Sequence, residues 1–282
     1  MKIGFFITAR LKSTRLKRKI LLDMNGKTVL ERIIDRAKQV KGIEGIVLCT
    51  STNSQDAELY NYALKNKIQF YPGSEDDVLE RLLYAAKYYG YDAFVSITAD
   101  NPLFSIYISN FLINLYKKNQ YDFINTKNLP VGCGTYLLDV GALEVVNFMK
   151  QQSDTEIWGP FINRPDFFNV ANLVIDNSYF NETIRITLDF PEDYEFIKSI
   201  YKQFGINETP TLVDVFKLLK SKPSLLKINK MHIQIMPTDK QMKQIEDEFN
   251  ANKINAIKFA ESIGKNLSAN YTSYNASLDY EK

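Results

Sequence analysis

The 282-residue chain has one histidine (His232), one tryptophan (Trp158) and two cysteines (Cys49 and Cys133). A single histidine leaves no Ser–His or Cys–His couple to build around the N-terminal loop. Two cysteines make no disulfide framework, which fits a reducing, cytoplasmic compartment, and no Cys/His spacing of the zinc-binding kind occurs. No apolar run approaches the ~20 residues needed to cross a bilayer. Arg10 interrupts the first apolar run too early for a signal peptide. Charge of one sign is scarce as well: 35 Lys and Arg against 33 Asp and Glu give a net charge of +2. That balance argues against a protein that coats nucleic acid by bulk charge. No internal repeat is present. What remains is an ordinary soluble composition, 45% hydrophobic and 24% charged, long enough for one large α/β domain with or without an appendage.

The positive charge is concentrated instead. An apolar run over residues 3–8 gives way to six cations in the ten residues 10–19, with small and hydroxyl residues spaced among them. A loop at the C-terminal end of a first buried strand is where an open α/β sheet holds its ligand. Backbone amides with Arg and Lys side chains there suit a polyphosphate. The segment therefore predicts a nucleoside triphosphate site, with a solvated basic patch as the plain alternative.

Short apolar runs at 3–8, 46–49, 68–71, 93–98 and 123–125 read as buried strands. Between them, Val29, Ile33, Ala37 and Val40 form one helical stripe, and Val78, Leu82, Ala85 and Tyr89 another. Such alternation predicts a mostly parallel sheet with helices on both faces. Right-handed crossovers then gather residues 10–19, 50–53, 73–77 and 100–102 at one edge. Residues 126–180 are less regular and rich in Asn, Gly and aromatics, as an acceptor-binding or dimerising subregion would be. A strand is expected at 184–188, and Pro191 then opens a helix whose dipole Glu192 and Asp193 complement. A further helix around 213–219 ends before Pro223. Met242, Ile245 and Phe249 predict one weakly amphipathic helix, with room for a second through Ile263, and the residues from Ser268 onward read as disordered. The chain thus divides into a main domain, 1–236, and a polar, helical extension with a disordered end, 237–282.

Two motifs carry or fail to carry chemistry. Asn25-Gly26-Lys27-Thr28 ends like a P-loop, but Leu21 stands where the first glycine is required, so Gly26 reads as a turn before the next helix. Asp100 follows the fourth strand, and Asp189 follows the expected strand at 184–188. Two carboxylates from separate strand ends suit Mg²⁺ held against a triphosphate. Each also suits a helix N-cap. Asp193 fits the dipole-complementing role better than a ligand role. Trp158 and its aromatic neighbours suit stacking on a base or sugar as well as a place in the core.

Four segments stand in register along the chain. Ala9, Arg10, Ser13, Arg15, Leu16, Lys19 and Leu21 fill an A-R-x-x-S-x-R-L-P-x-K-x-L pattern except at its proline. Gly73, Ser74, Asp77, Val78, Leu79 and Arg81 fill G-S-x-x-D-V-L-x-R. Ile97, Thr98, Asp100, Pro102 and Leu103 follow, then Thr187, Asp189, Pro191, Glu192 and Asp193. Ile228, Asn229 and His232 close the series. On these motifs, residues 2 to about 235 resemble the acylneuraminate/Kdo cytidylyltransferase family, most closely its SpsF-like branch of spore coat polysaccharide biosynthesis. Departures occur as well. Lys17 replaces the proline, the segment from Pro130 to Tyr136 lacks the branch's acidic pair, and Glu156-Ile157-Trp158-Gly159 lacks its His and Thr. The last two fall in the acceptor half and imply an altered acceptor.

The resemblance implies a three-layer, mostly parallel sheet of Rossmann-like nucleotidyltransferase (glycosyltransferase-A-like) type, with 1–236 as the catalytic domain. It implies CTP plus an acidic acceptor, a nonulosonic or 3-deoxy-ulosonic acid, giving a CMP-linked sugar and pyrophosphate for a surface glycan. Arg10, Arg15, Lys19 and Asp100 would be catalytic, with Mg²⁺ on Asp100 and Asp189. CTP would contact Ala9, Arg10, Ser13, Lys19, Thr50, Ser51, Asp77 and Arg81. A homodimer is expected, with no nucleic-acid or membrane partner. A phosphonate or other phospho-acceptor is the alternative within this reaction class. A glycosyltransferase would show an Asp-x-Asp, which Asp100-Asn101-Pro102 does not supply, and a non-catalytic relative would not need Asp100, Asp189 and Lys19 together.

Overall fold

The computed structural model describes residues 1–176, 184–234 and 236–281. Strand β1 (Ile3–Thr8) is buried along its length, with Ile3, Phe5 and Ile7 in one core and Phe6 in the opposite one. Burial on both faces is what a central parallel strand demands. After the basic loop, Asn25 and Gly26 adopt positive φ values of 59° and 82° and reverse the chain. Helix α1 (Val29–Ala37) starts directly after, fixed by a capping box between Thr28 and Glu31. Gly26 is therefore a turn residue. Alternation continues through β2 (Gly45–Ser51), α2 (Leu59–Asn66), β3 (Gln69–Gly73), α3 (Val78–Tyr89), β4 (Ala93–Thr98), α4 (Ile106–Asn119) and β5 (Phe123–Lys127). Next come β6 (Tyr136–Asp139), α5 (Val140–Met149), the short α6 (Gly159–Ile162) and β7 (Asn169–Ile175). Then α7 (Pro191–Tyr201), α8 (Leu212–Ser221), α9 (Asp239–Ser262) and β8 (Asn270–Ala276) complete the chain.

The sheet runs β3-β2-β1-β4-β6-β5-β7-β8. Only β6 is antiparallel to its neighbours; the other pairings are parallel. Val29 of α1, Leu112 of α4, Phe196 of α7 and Val215 of α8 cover one face, while Leu82 of α3, Val146 of α5 and Phe249 of α9 cover the other. Three layers result. From β1 the chain builds outward through β2 and β3, then returns so that β4 pairs with the other side of β1. The loops leaving β1 and β4 are thereby neighbours at the C-terminal ends of adjacent strands, where an open sheet holds its ligand. Among the described residues, no helix is long and apolar enough to cross a membrane.

Four expectations change. Residues 184–188 do not join the sheet as a strand: Arg185 makes a single bridge to Val131, and the amides of Ile186 and Leu188 donate to Val131 O and Asp100 O at 2.8 and 2.9 Å. Ile184, Ile186 and Leu188 are buried together, so a loop lying across the strand ends mimics strand alternation. The segment 126–180 is more regular than expected, and its part beyond Asp176 lies outside the described residues. Its helix α5 hides from periodicity because Val140, Ala142, Leu143, Val145 and Val146 are all buried. The helix over 239–262 is continuous, with Ile245, Phe249, Ala256 and Ala260 on one buried stripe. Finally, the end of the chain is ordered: β8 pairs in parallel with β7 from Asn169↔Asn270 to Ile175↔Ala276. Its Asn-Tyr-Thr-Ser-Tyr-Asn-Ala sequence has no apolar alternation, because backbone pairing at an edge requires none.

Candidate active site

The loop after β1 is tied down at both ends. Ala9 N donates to Cys49 O at 2.9 Å, Leu11 N donates to Asp56 Oδ1 at 2.7 Å, and a 3-10 turn over Lys19–Leu21 follows Arg18 in the left-handed region. Lys19 is thereby carried back over the ends of β1 and β4. Its Nζ donates to Asp100 Oδ2 and to Asp189 Oδ1, at 2.8 Å each. Asp100 comes from the end of β4, where Ala99 N donates to Thr8 O and Thr98 Oγ1 donates to Asp100 Oδ1 at 2.5 Å. Asp189 comes from the crossing segment, which Leu188 N pins to Asp100 O. Two carboxylates from distant parts of the chain therefore converge on one point.

Electrostatics follow from partial burial. Desolvation works against the charge of Lys19, but the two aspartates outweigh it and hold its pKa above the usual lysine value. Asp189 is also opposed by burial, yet Lys19 and Arg185 together hold it below the usual carboxylate range. Arg185 pairs with Asp189 and, at 3.3 Å, with the fully buried Asp193. Asp193 in turn accepts from the amides of Asp189 and Phe190 at 3.0 Å each, so it positions Asp189 from below. Arg15 reaches toward Asp189 at 3.9 Å and lies 4.8 Å from the centre of the Phe190 ring.

Two adjoining hollows meet at this point. A cavity of about 170 Å³ is lined by Ala9, Arg10, Lys19, Arg81, Tyr136 and other residues. An open cleft of about 620 Å³ lies beyond it and includes Arg15, Asn101 and Asp189. Thr98, Asp100, Glu156 and Trp158 line both. In the smaller cavity the cations are held by protein partners. Arg10 donates to Glu75 O at 2.8 Å and pairs with Glu156, while Lys12 pairs with Glu75 at 3.0 Å. Both cysteine thiols are fully buried; desolvation pushes Cys49 up to about 12 and Cys133 likewise upward, so neither supplies a thiolate.

The sequence-predicted residues divide accordingly. Ala9, Arg10, Lys19, Arg81 and Asp100 meet in the small cavity; Arg15, Asp100 and Asp189 meet in the large cleft. Thr50, Ser51, Asp77 and Ser13 are not among the residues lining either. Ser51 Oγ donates to Asp56 Oδ2 at 2.5 Å, and Thr50 is fully buried in β2. The carboxylate of Asp77 caps α3 and takes up Lys150 and Thr155 Oγ1, which anchors the 150–155 loop. Arg81 is 2% exposed and donates to Ser74 O and Glu75 O; burial holds its pKa below the usual arginine value. Sequence reasoning missed Arg185, Glu156 and Lys12 as site residues. Arg185 lies four residues before Asp189, but the strand-like run around it conceals the pairing.

Gly132 sits where this cleft meets the crossing segment. Its φ is +95°, and an added Cβ would stand 2.2 Å from Ile186 O, so only glycine fits.

Comparison with known proteins agrees with this geometry. A family model described as cytidylyltransferase matches residues 5–210. An uncharacterised protein of Methanocaldococcus jannaschii is 31% identical over 81% of this chain and 95% of that protein. The spore coat polysaccharide biosynthesis protein SpsF of Bacillus subtilis is 26% identical over 78% of this chain and 95% of its own length. Among solved structures, a cytidylyltransferase from Leptospira borgpetersenii serovar Hardjo-bovis superposes with a TM-score of 0.73 at 27% identity, over 84% of this chain and 100% of that one. CMP:2-keto-3-deoxy-manno-octonic acid synthetase complexed with CTP shares the fold at a TM-score of 0.58 and 14% identity, over 72% and 99% of the two chains. The chain belongs to the cytidylyltransferase family and is a nucleotidyltransferase of Rossmann-like fold.

Proposed function

We propose that the chain transfers CMP from CTP to an acidic sugar acceptor of nonulosonic or 3-deoxy-ulosonic type, releasing pyrophosphate, in the assembly of a surface polysaccharide. The observation that carries this is the convergence of Lys19, Asp100 and Asp189 at the β1/β4 switch point, between a small cavity and a larger cleft. The relative named for spore coat polysaccharide biosynthesis and the neighbour crystallised with CTP support the same nucleotide and the same class of acceptor. In this reading the triphosphate occupies the small cavity, and Arg10, Lys12 and Lys19 exchange their carboxylate partners for phosphate oxygens. The acceptor enters from the larger cleft. Its oxygen forms the new bond to the α-phosphorus while the α–β bridging P–O bond breaks. A hydroxyl acceptor gives its proton to solvent through the open cleft. Negative charge gathers on the departing pyrophosphate, and fixed cations aimed at it are the principal source of rate in such transfers.

The residues fit a divalent cation. Asp100 and Asp189 offer two oxygens around one point, and Mg²⁺ commonly takes one or two carboxylates with phosphate oxygens and water. Among the described residues, no group of three or more His, Cys, Asp or Glu could form an all-protein cage. Bound there, the ion would neutralise phosphate charge and act as a Lewis acid.

Pyrophosphate release from CTP with Mg²⁺ and each sugar acid tests the proposal. The wild type should release it in an acceptor-dependent way, and Asp100→Asn should lower the rate by about two to three orders of magnitude. Full activity in the variant, or acceptor-dependent release from UTP but not CTP, would remove the proposal.

A further inference from the structure

The larger cleft has a wall that the family match does not reach. Gln234, Met236, Pro237, Thr238 and Gln241 line it together with Asp100 and Asp189, whereas the family match ends at residue 210. This wall is built in place by contacts at both ends. Gln234 Oε1 accepts from Arg185, the same side chain that pairs with Asp189. At the other end, Thr238 opens α9 with a capping box: Gln241 Oε1 accepts from Thr238 N at 2.9 Å and from Thr238 Oγ1 at 2.8 Å. Helix α9 is in turn held by the buried Ile245 and Phe249, by Arg164 stacked 3.8 Å from the Phe249 ring, and by the Arg164–Glu246 pair at 2.8 Å. Gln234 is thus held by the site's own arginine, and Thr238 and Gln241 by a core-packed helix.

The chemistry of the lining narrows what it can hold. Arg15 is the one cation among the residues lining this cleft. The remaining polar groups are the amides of Asn101, Gln234 and Gln241 and the hydroxyls of Thr98, Thr187 and Thr238, beside the Trp158 ring. A phosphonate or phosphate acceptor carries close to two negative charges and would face one cation and the carboxylates of Asp100, Glu156 and Asp189. Amides and hydroxyls around a single cation match a polyhydroxylated molecule with one acid group, its hydroxyls taken by fixed donors and acceptors.

We propose that Gln234, Met236, Pro237, Thr238 and Gln241 form the acceptor-specifying wall of the enzyme, with Gln241 a specificity-determining residue for a polyhydroxylated acceptor bearing a single acid group. This rests on the CMP-transfer reading and adds to it the part of the chain that selects the acceptor.

The test uses the full chain with Mg²⁺, CTP and three probes: a 3-deoxy-octulosonic acid, a nonulosonic acid and 2-aminoethylphosphonate. Gln241→Glu is the informative variant. Glutamate serves the capping box as well as glutamine does, but it replaces the amide donor with a negative charge in the cleft. The wild type should use a sugar acid and not the phosphonate. Gln241→Glu should raise the KM for that acid at least tenfold, with the KM for CTP within twofold and the melting temperature unchanged. Gln241→Ala should raise the acceptor KM as well. An unchanged acceptor KM in both variants, use of the phosphonate in preference, or use of none of the probes while CTP still binds would each overturn this inference and leave the nucleotide reading standing. Failure of the wild type to bind CTP would end both.

Discussion

Lys19 is shared between two carboxylates now and, in the proposed reaction, with a polyphosphate. Its raised pKa and the depressed pKa of Asp189 are two sides of one interaction. The signs run in opposite directions with pH. Stability from a raised lysine pKa is fully present below the ordinary value of 10.5 and is lost as pH rises through the folded-state value. Stability from a depressed aspartate pKa is present above the ordinary value of 3.8 and is lost as pH falls through the folded-state value. The Lys19–Asp189 pair is therefore intact from about pH 4 to about pH 10. Urea unfolding of wild type and Asp189→Asn between about pH 2.5 and pH 5 checks this. Wild type should lose stability more steeply with acid than the variant; parallel curves would show that Asp189 is not held ionised by its neighbours. Asp100 and Lys19 were legible in the sequence because each stands at a fixed distance past an apolar run. Ser51 and Asp77 stand at similar positions and are engaged by protein partners, Asp56 and Lys150. A hydroxyl or carboxylate past a strand reads alike whether it faces a ligand or a protein partner.

At the level of elements, β1 to β5 and the helices between them follow from apolar runs and 3.6-residue stripes, which are local signals. Elements made by long-range pairing did not show. The crossing segment at 184–188 has a strand's pattern without a strand's neighbours, and β8 has a strand's neighbours without its pattern. The chain end past β8 makes the point most directly. Leu278 is fully buried, and the Glu281 carboxylate accepts from Ser105 Oγ at 2.7 Å and from Leu212 N at 2.9 Å, joining the N-termini of α4 and α8. Both helix ends lie behind the site, since Ser105 follows Asp100 by one short turn. Deleting residues 277–282 should cost about 2–5 kcal/mol, the range for losing a buried leucine, and should lower the urea midpoint accordingly. An unchanged midpoint would show that the tail is not docked and would restore the disordered reading of this segment.

At the scale of the molecule, the strand order does the positioning. Because β4 returns to pair with β1, the loop richest in cations and the loop carrying Asp100 leave the sheet side by side. The crossing segment then brings Asp189 to them, and residues beyond the family match add to the lining. Fold class was readable because alternating strands and helices permit few topologies. The larger cleft was not, because its lining is assembled from Thr98, Gly132, Trp158, Thr187, Gln234, Met236, Pro237, Thr238 and Gln241, which no single motif spans.

The central claim is that the β1/β4 crevice is a CTP site completed by a divalent cation. Calorimetric titration of the full chain with CTP, UTP, ATP and GTP, each with and without Mg²⁺, tests it without knowledge of the acceptor. The account predicts binding of CTP in preference to the other three, strengthened by Mg²⁺ and weakened by Asp189→Asn. Binding of none of the four, or equal binding of all with no effect of Mg²⁺, would contradict it.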